Sequence, residues 1–188
     1  MIERDRDKAL TLLKEYTLKD GLLNHAYAVE AALKAYARHF GEDVEYWGVV
    51  GLLHDFDYER FPTAEEHPFK GAEILKEKGY PDEMITAILS HAPYTGVPRQ
   101  SLLEKSLFAV DELTGFIIGC ALVRPDRKIS SVKVKSIKKK MKDKAFCRNV
   151  SRDDLKEGPA ALGVEFEEHC QRVIDAMASI SADLGFEG

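Results

Sequence analysis

The sequence lacks the features that mark secreted, membrane-spanning and disulfide-rich proteins. It has only three cysteines among 188 residues, and Cys120, Cys147 and Cys170 are scattered. An odd set without paired spacing predicts reduced thiols rather than a disulfide framework or a cysteine zinc site. The longest apolar run, around residues 116–123, is far shorter than the ~20 residues of a membrane-spanning helix.

Signatures of several other protein classes are missing as well. There is no glycine-rich phosphate loop and no serine nucleophile motif. The net charge of -5 at pH 7 favours solubility and argues against a nucleic-acid partner. Residues 1–7 alternate charges and lack the apolar core of a signal peptide. We therefore expect a cytoplasmic protein without a nucleic-acid or membrane partner, while its oligomeric state is not indicated.

Apolar residues recur at helical spacing along most of the chain, and strand-like alternation is hard to find. This pattern predicts an all-α bundle in which candidate ligands lie on facing helices. Asp43 and Asp82 are expected to cap helices, Gly41 to end one, and Gly158–Pro159 to break another. The predicted helices cover residues 5–17, 22–40, 43–53, 82–91 and 101–119, a helix from Thr63 or Glu65 to Lys78, and a closing helix after Gly163.

The most informative stretch is an apolar run that ends in His54, Asp55 and Asp57. A carboxylate buried in such a run must be paired or must coordinate a cation. Because an adjacent His–Asp pair does not fill a coordination sphere, further ligands must come from elsewhere. His25 lies on the apolar face of an upstream helix, and Asp111 lies on a mostly apolar downstream helix. Considered alone, a histidine at position 25 is also typical of a hydrogen-bonded core residue.

The order His25, His54–Asp55, Asp111 resembles the HD superfamily of metal-dependent phosphohydrolases, of the HDIG type. Two further histidines stand in contexts similar to those of superfamily members with a two-metal site. His67 opens the segment HPFKGAEIL, and His91 closes the segment ILSH. The resemblance extends roughly over residues 20–120.

The resemblance implies a first metal held by four residues, namely His25, His54, Asp55 and Asp111. It further implies that Asp55 bridges to a second metal held by His67 and His91. Imidazole and carboxylate donors suit one or two divalent transition metal ions such as Mn, Fe, Co, Ni or Zn. From the residues alone, His67 and His91 are equally compatible with histidines at helix ends.

Asp55 and Asp57 are the predicted catalytic residues. Asp55 would connect two metal ions that activate a water molecule and stabilise both oxygens of a phosphoryl transfer. Asp57 would orient a ligand histidine or act as an acid or base, and a turn-forming aspartate is the alternative.

A strongly basic segment follows at residues 133–148, where one acid, Asp143, stands among many lysines. Interleaved apolar residues favour a solvated helix face. The alternative is that basic side chains reach over the metal pocket and bind phosphate oxygens. On that alternative, Lys135, Lys138 and Arg148 are the predicted substrate-binding residues.

The sequence thus predicts a hydrolase that cleaves a phosphate ester of a small molecule, a nucleotide being one candidate. The same ligand set fits HD-fold di-iron oxygenases that cleave C–C or C–P bonds, and a non-catalytic metal- or nucleotide-binding module is a third interpretation. His91 is followed by Ala92–Pro93 rather than a second histidine, so an HD-GYP-type cyclic dinucleotide substrate is not expected. We predict a metal-binding helical domain over residues 1–125 and a C-terminal helical extension over 126–188 packed on it.

Overall fold

Regular secondary structure in the computed structural model, which describes residues 1–186, is entirely helical. Nine α-helices and no β-strand occur in that range, so the predicted all-α architecture is confirmed. The helices are α1 (Arg6–Tyr16), α2 (Asp20–Phe40), α3 (Val44–Leu53), α4 (Phe69–Glu77), α5 (Asp82–His91), α6 (Leu102–Leu122), α7 (Val134–Met141), α8 (Asp154–Leu162) and α9 (Phe166–Ala178). Among these described helices, none is both long and apolar enough to cross a lipid bilayer.

The two longest helices, α2 and α6, form the centre of the bundle and pack against each other. Helix α2 also contacts α3 and α9, while α6 also contacts α5 and α8. As predicted, Gly41 ends α2 in the left-handed conformation, with φ +74°. Ser101 and Glu104 form a reciprocal capping box at the start of α6, which satisfies amide groups that the helix leaves free. The C-terminal end of α2 and the N-terminal end of α6 are therefore fixed by local sequence.

Helix α3 approaches α2 so closely that only glycine fits at position 51. A Cβ atom at Gly51 would lie 2.9 Å from both the Cα and the backbone nitrogen of Glu30. The contact joins backbone to backbone, so neither helix can relieve it by rotating a side chain. Because His54 follows α3 directly, this close approach also determines where His54 lies relative to α2.

Three local predictions of the sequence are wrong. Helix α4 begins at Phe69 rather than at residue 63 or 65. A residue that precedes a proline avoids helical backbone angles, and His67 precedes Pro68. Asp82 is the first residue of α5 and not its cap, and Pro81 occupies the cap position.

Helix α8 continues through Gly158–Pro159, where a break was predicted. A Cβ atom at Gly158 would lie 2.6 Å from the Cα atom of Ala109 in α6, and both Gly158 and Pro159 are buried. Packing of this glycine on α6 outweighs the backbone hydrogen bond that the proline removes.

The C-terminal helices share one hydrophobic core with the rest of the chain. Val173 and Ile174 of α9 belong to the same buried cluster as Val29 and Leu33 of α2. The division at residue 125 stays a prediction, and residues 187–188 of the predicted extension lie outside the described range.

The close approach at Gly51 leads to a stability prediction. Gly51→Ala should lower the free energy of unfolding by about 1–2 kcal/mol, because overpacking costs more than alanine gains over glycine in a helix. The matched control is Gly115→Ala in α6, where an added Cβ atom meets nothing within 4 Å. That variant should be as stable as the parent or more stable by up to about 1 kcal/mol. Urea unfolding of both variants measures the two changes. If Gly51→Ala gained as much stability as Gly115→Ala, the close contact at Gly51 would be contradicted.

Candidate metal centre

Four of the six histidines and two aspartates meet in one cluster, although they come from five different helices or helix ends. His25 lies in the second turn of α2, and His54 and Asp55 follow α3. His67 stands just before α4, His91 is the last residue of α5, and Asp111 lies in the middle of α6. The structure thus brings together all six residues that the sequence predicted as metal ligands.

The first half of the cluster is formed by His25 and His54, here called the first pair. Their Nε2 atoms are 3.2 Å apart. Asp111 Oδ1 lies 3.0 Å from the Nε2 atom of His25 and 3.5 Å from that of His54. On the other side, Asp55 Oδ2 lies 3.5 Å from His54 Nε2 and 3.8 Å from His25 Nε2. Two nitrogens and two carboxylate oxygens therefore face one point.

The second half is formed by His67 and His91, here called the second pair. Both of their Nε2 atoms lie 3.2 Å from Asp55 Oδ1. That oxygen is buried, yet it makes no hydrogen bond of acceptable geometry. The carboxylate of Asp55 thus presents one oxygen to each histidine pair.

Backbone acceptors fix two of the four rings. The Nδ1 atom of His54 bonds to the carbonyl oxygen of Gly51 at 2.8 Å, and that of His91 bonds to the carbonyl oxygen of Ile88. A carbonyl can only accept, so each Nδ1 carries a proton and each Nε2 is directed into the cluster, where it offers a lone pair to a cation once it is deprotonated. Ligand histidines of metal sites are typically fixed in this way.

Asp57 fixes a third ring. Its Oδ1 atom lies 2.8 Å from His67 Nδ1, and its Oδ2 atom accepts a 2.8 Å hydrogen bond from the Gly71 amide. Only 1% of Asp57 is exposed, and it lies behind His67 rather than beside the cluster opening. These contacts favour its predicted role in orienting a histidine, while a role as acid or base stays a prediction.

Thr114 contacts the fourth ring and was missed in the sequence. Its hydroxyl lies 3.3 Å from His25 Nδ1 and donates a 2.8 Å hydrogen bond to the carbonyl oxygen of Asp111. The signal available in the sequence was its position three residues after Asp111, which places both side chains on one face of α6.

The charges of the cluster are strongly coupled. Burial alone would raise the pKa of Asp55, but the facing charge of His54 and the close imidazoles of His67 and His91 hold it well below its usual value. The pKa of Asp111 is likewise lowered, because its contacts with His25 and His54 outweigh burial. Burial lowers the pKa of His67, but Asp55 and Asp57 together raise it to about 9. Without a metal, protons on the imidazoles therefore balance the carboxylates.

The nitrogen and oxygen atoms of the cluster are chemically suited to bind a divalent metal ion. Two groups of ligand atoms each lie within 4.8 Å of one another, and both contain Asp55. The first adds the first pair, and the second adds the second pair. Two imidazole nitrogens 3.2 Å apart repel each other unless a proton or a cation lies between them. Nitrogen and oxygen donors of this kind suit Mn, Fe, Co, Ni or Zn.

The predicted substrate-binding residues are not brought to the cluster by any contact in residues 1–186. Lys138 pairs with Glu167 of α9, and Lys135 and Arg148 are exposed. No hydrogen bond or ion pair of the described chain joins these three residues to the six cluster residues. Their role in substrate binding stays a prediction.

The contacts of Asp57 lead to a prediction about metal affinity. Asp57→Asn should weaken metal binding about 10- to 100-fold, because the amide replaces one acceptor by a donor that must face either His67 or the Gly71 amide. Glu73→Gln is the control, since Glu73 lies on α4 nearby but is exposed and pairs with Lys70 rather than with any cluster residue of the described chain. Competition titration with a metal chelator measures both. Equal affinities in the two variants would show that Asp57 does not support the site.

The raised pKa of His67 leads to a prediction about pH. A histidine with a raised pKa contributes stability below its unfolded value of 6.5, and this contribution is lost as the pH rises through about 9. Protein stripped of metal with a chelator should therefore lose about 3 kcal/mol of stability between pH 6.5 and pH 9. Denaturant unfolding at several pH values checks this, and His67→Gln should show a flatter profile than the parent. An unchanged slope in that variant would contradict the assignment.

Comparisons with known proteins agree with this geometry. A family model described as "HD domain" matches residues 22–115, which is half of the 188-residue chain and contains all six cluster residues. A protein of Methanocaldococcus jannaschii, described as "Uncharacterized protein MJ0778", is 34% identical over 111 residues. The match covers 57% of this chain and 64% of that relative, so the chain spans less than two thirds of its length. No solved structure matches the chain. On the family match, the chain belongs to the HD-domain family.

Proposed function

We propose that this protein is a metal-dependent phosphohydrolase that cleaves a phosphate ester of a small molecule. The observation that carries the proposal is the position of Asp55, whose two oxygens face two separate histidine pairs. A carboxylate shared in this way suits two adjacent cations, and paired cations are a recurring arrangement in phosphoryl transfer.

The cluster divides naturally between two metal ions. One ion would be held by four residues, namely His25, His54, Asp55 and Asp111. The second would be held by Asp55 with His67 and His91. When bound, such ions supply Lewis acidity, which polarises phosphoryl oxygens and lowers the pKa of a coordinated water.

The substrate would approach from the side of Asp55 and Asp111. Their side chains are 22% and 19% exposed, and that of His25 is 19% exposed. By contrast, His54 is fully buried and His67 is 5% exposed. The buried residues can therefore hold the site together while the open side admits a ligand.

The protein residues themselves would position the reacting groups. Hydrogen bonds at the far ring nitrogens keep the imidazoles from rotating, which preserves the lone pairs that bind the cations. The buried setting excludes water from one side and strengthens the charge interactions on the open side.

The two halves of the cluster can be tested separately. Protein purified without chelator and reconstituted with Mn(II) or Fe(II) should contain two metal ions per chain by elemental analysis. His91→Ala should reduce this content to one ion and lower phosphate release at least tenfold, because the second pair loses a ligand. Asp55→Ala should lose both ions and all turnover. His39→Ala is the control, since His39 is exposed and lies outside the cluster.

Several outcomes would contradict the proposal. Unchanged metal content in Asp55→Ala would mean that the cluster is structural. Oxygen uptake that depends on Fe(II), in the absence of phosphate release, would show an oxygenase on the same ligands. Bound metal without turnover on a broad panel of phosphate esters would indicate a binding module.

A further inference from the structure

The basic residues of this acidic chain are unevenly distributed. Residues 133–148 contain eight lysines and arginines but one acid, so this segment carries a formal charge of +7. Because the whole chain carries -5, the other residues together carry -12. The two signs of charge are therefore separated along the sequence.

Helix α7 directs this positive charge outward. Its apolar side packs on the bundle, with Ile137 fully buried and Val134 and Met141 against the core. Lys139 lies about 200° round the helix from Ile137, so it points into solvent. Six exposed residues of the segment form no ion pair within residues 1–186. We call them the basic face, namely Lys133, Lys135, Lys139, Lys142, Lys144 and Arg148.

The nearby acids are engaged elsewhere. Asp143 turns back on its own loop, where its Oδ1 atom accepts hydrogen bonds of 3.0 Å and 3.3 Å from the amides of Ala145 and Phe146. Glu167 pairs with Lys138, which is not part of the basic face. Neither carboxylate therefore forms an ion pair with the basic face.

The loop that carries Lys144 and Arg148 is held in shape by Arg152. The Cζ atom of Arg152 lies 4.8 Å from the ring centroid of Phe116 in α6. Its guanidinium donates hydrogen bonds to four carbonyl oxygens of the loop, those of Asp143, Phe146, Cys147 and Val150. The basic face is therefore a preformed surface.

Two exposed aliphatic residues adjoin the basic segment. Leu122 and Val123 at the end of α6 are 48% and 58% exposed, and we call them the aliphatic edge. Val123 lines a surface cavity of about 240 Å³ together with Lys140 of α7. Leu122 lines a second cavity with Arg127, which is exposed and forms no ion pair within residues 1–186. Basic groups thus line the cavities beside both aliphatic residues.

We propose that the basic face and the aliphatic edge together bind the surface of an anionic lipid membrane. The basic side chains would contact negative headgroups, and the aliphatic edge would enter the boundary of the acyl region. The sequence led us to expect no membrane partner, because the chain is acidic overall and lacks a spanning run. A peripheral contact requires only one face of matching charge. It needs neither metal nor turnover, so this inference is independent of the proposed phosphohydrolase function.

Three features favour a membrane over a nucleic acid. Five of the six residues of the basic face are lysines, whose compact ammonium groups suit a diffuse negative surface. The one aromatic side chain of residues 133–148, Phe146, packs against Phe116 and is not free to stack on bases. The aliphatic edge would stay in water on a nucleic acid, whereas a membrane offers it apolar surroundings.

Co-sedimentation with lipid vesicles tests the basic face. The parent should bind vesicles of phosphatidylglycerol and phosphatidylcholine, mixed roughly one to two, and should not bind phosphatidylcholine alone. Added salt should weaken the binding, because it screens exposed charges. Replacement of three lysines by glutamine in one variant, at Lys139, Lys142 and Lys144, should weaken binding about 100-fold.

The matched control removes three lysines from other surfaces. Lys14, Lys76 and Lys105 lie on α1, α4 and the first turn of α6, and they form no ion pair within residues 1–186. Their replacement by glutamine gives the same net charge as the first variant but leaves the basic face intact. This control should bind the anionic vesicles nearly as tightly as the parent.

A tryptophan reporter tests the aliphatic edge. The natural Trp47 is buried, so its emission should change little on vesicles. In Val123→Trp, the emission should shift to shorter wavelength on anionic vesicles, because the new ring enters an apolar region. Leu102→Trp is the control, since this exposed position lies at the opposite end of α6, about 30 Å along the helix from Leu122. It should show no shift.

The possible outcomes separate a membrane from other partners. Equal vesicle binding by the parent and the basic-face variant would overturn the proposal, and so would equal weakening in the control. Tighter binding to duplex DNA than to vesicles, without the tryptophan shift, would indicate a nucleic acid instead. Salt-sensitive self-association that the basic-face variant loses, with no vesicle binding, would make this surface an interface between copies of the chain.

Discussion

The two oxygens of the Asp55 carboxylate face two different histidine pairs. This arrangement depends on the positions of several helices at once. A buried carboxylate between imidazoles is stable only when a proton or a cation compensates its charge. The six cluster residues come from α2, α6, the ends of α3 and α5 and the residues just before α4, so a shift of any one helix would change several distances at once. The site is in this sense a property of the whole bundle rather than of one motif.

Two glycines connect helix packing to the position of the ligands. Gly51 allows α3 to touch the backbone of α2, and its carbonyl oxygen also accepts the hydrogen bond from His54. Gly71 leaves room for the carboxyl group of Asp57, whose Cγ atom would lie 2.8 Å from a Cβ atom at that position. At Gly51 the missing side chain lets the two helices touch beside the carbonyl group that orients His54, and at Gly71 it leaves room for the carboxyl group that orients His67. Packing and ligand orientation therefore depend on the same residues.

Much of this arrangement could be predicted from the sequence, because its signals are local. Helical periodicity predicted the all-α fold, and the context of His54 and Asp55 indicated where to look for the other residues of the cluster. What could not be predicted depends on distances across the fold. The hydrogen bond from Tyr94 to His67 joins residues 27 positions apart, and no local pattern announces it. The start of α4 was predictable from a local signal, because Pro68 disfavours a helix at the residue before it. The prediction placed the start too early because it followed helical periodicity instead.

Among residues 1–186, the ion-pair partners of Asp55 and Asp111 are histidines rather than lysines or arginines. A phosphate entering this acidic site would be repelled unless bound cations supplied the positive charge. Recognition of phosphate would then fall to the metals, and recognition of the rest of the substrate to side chains around the opening.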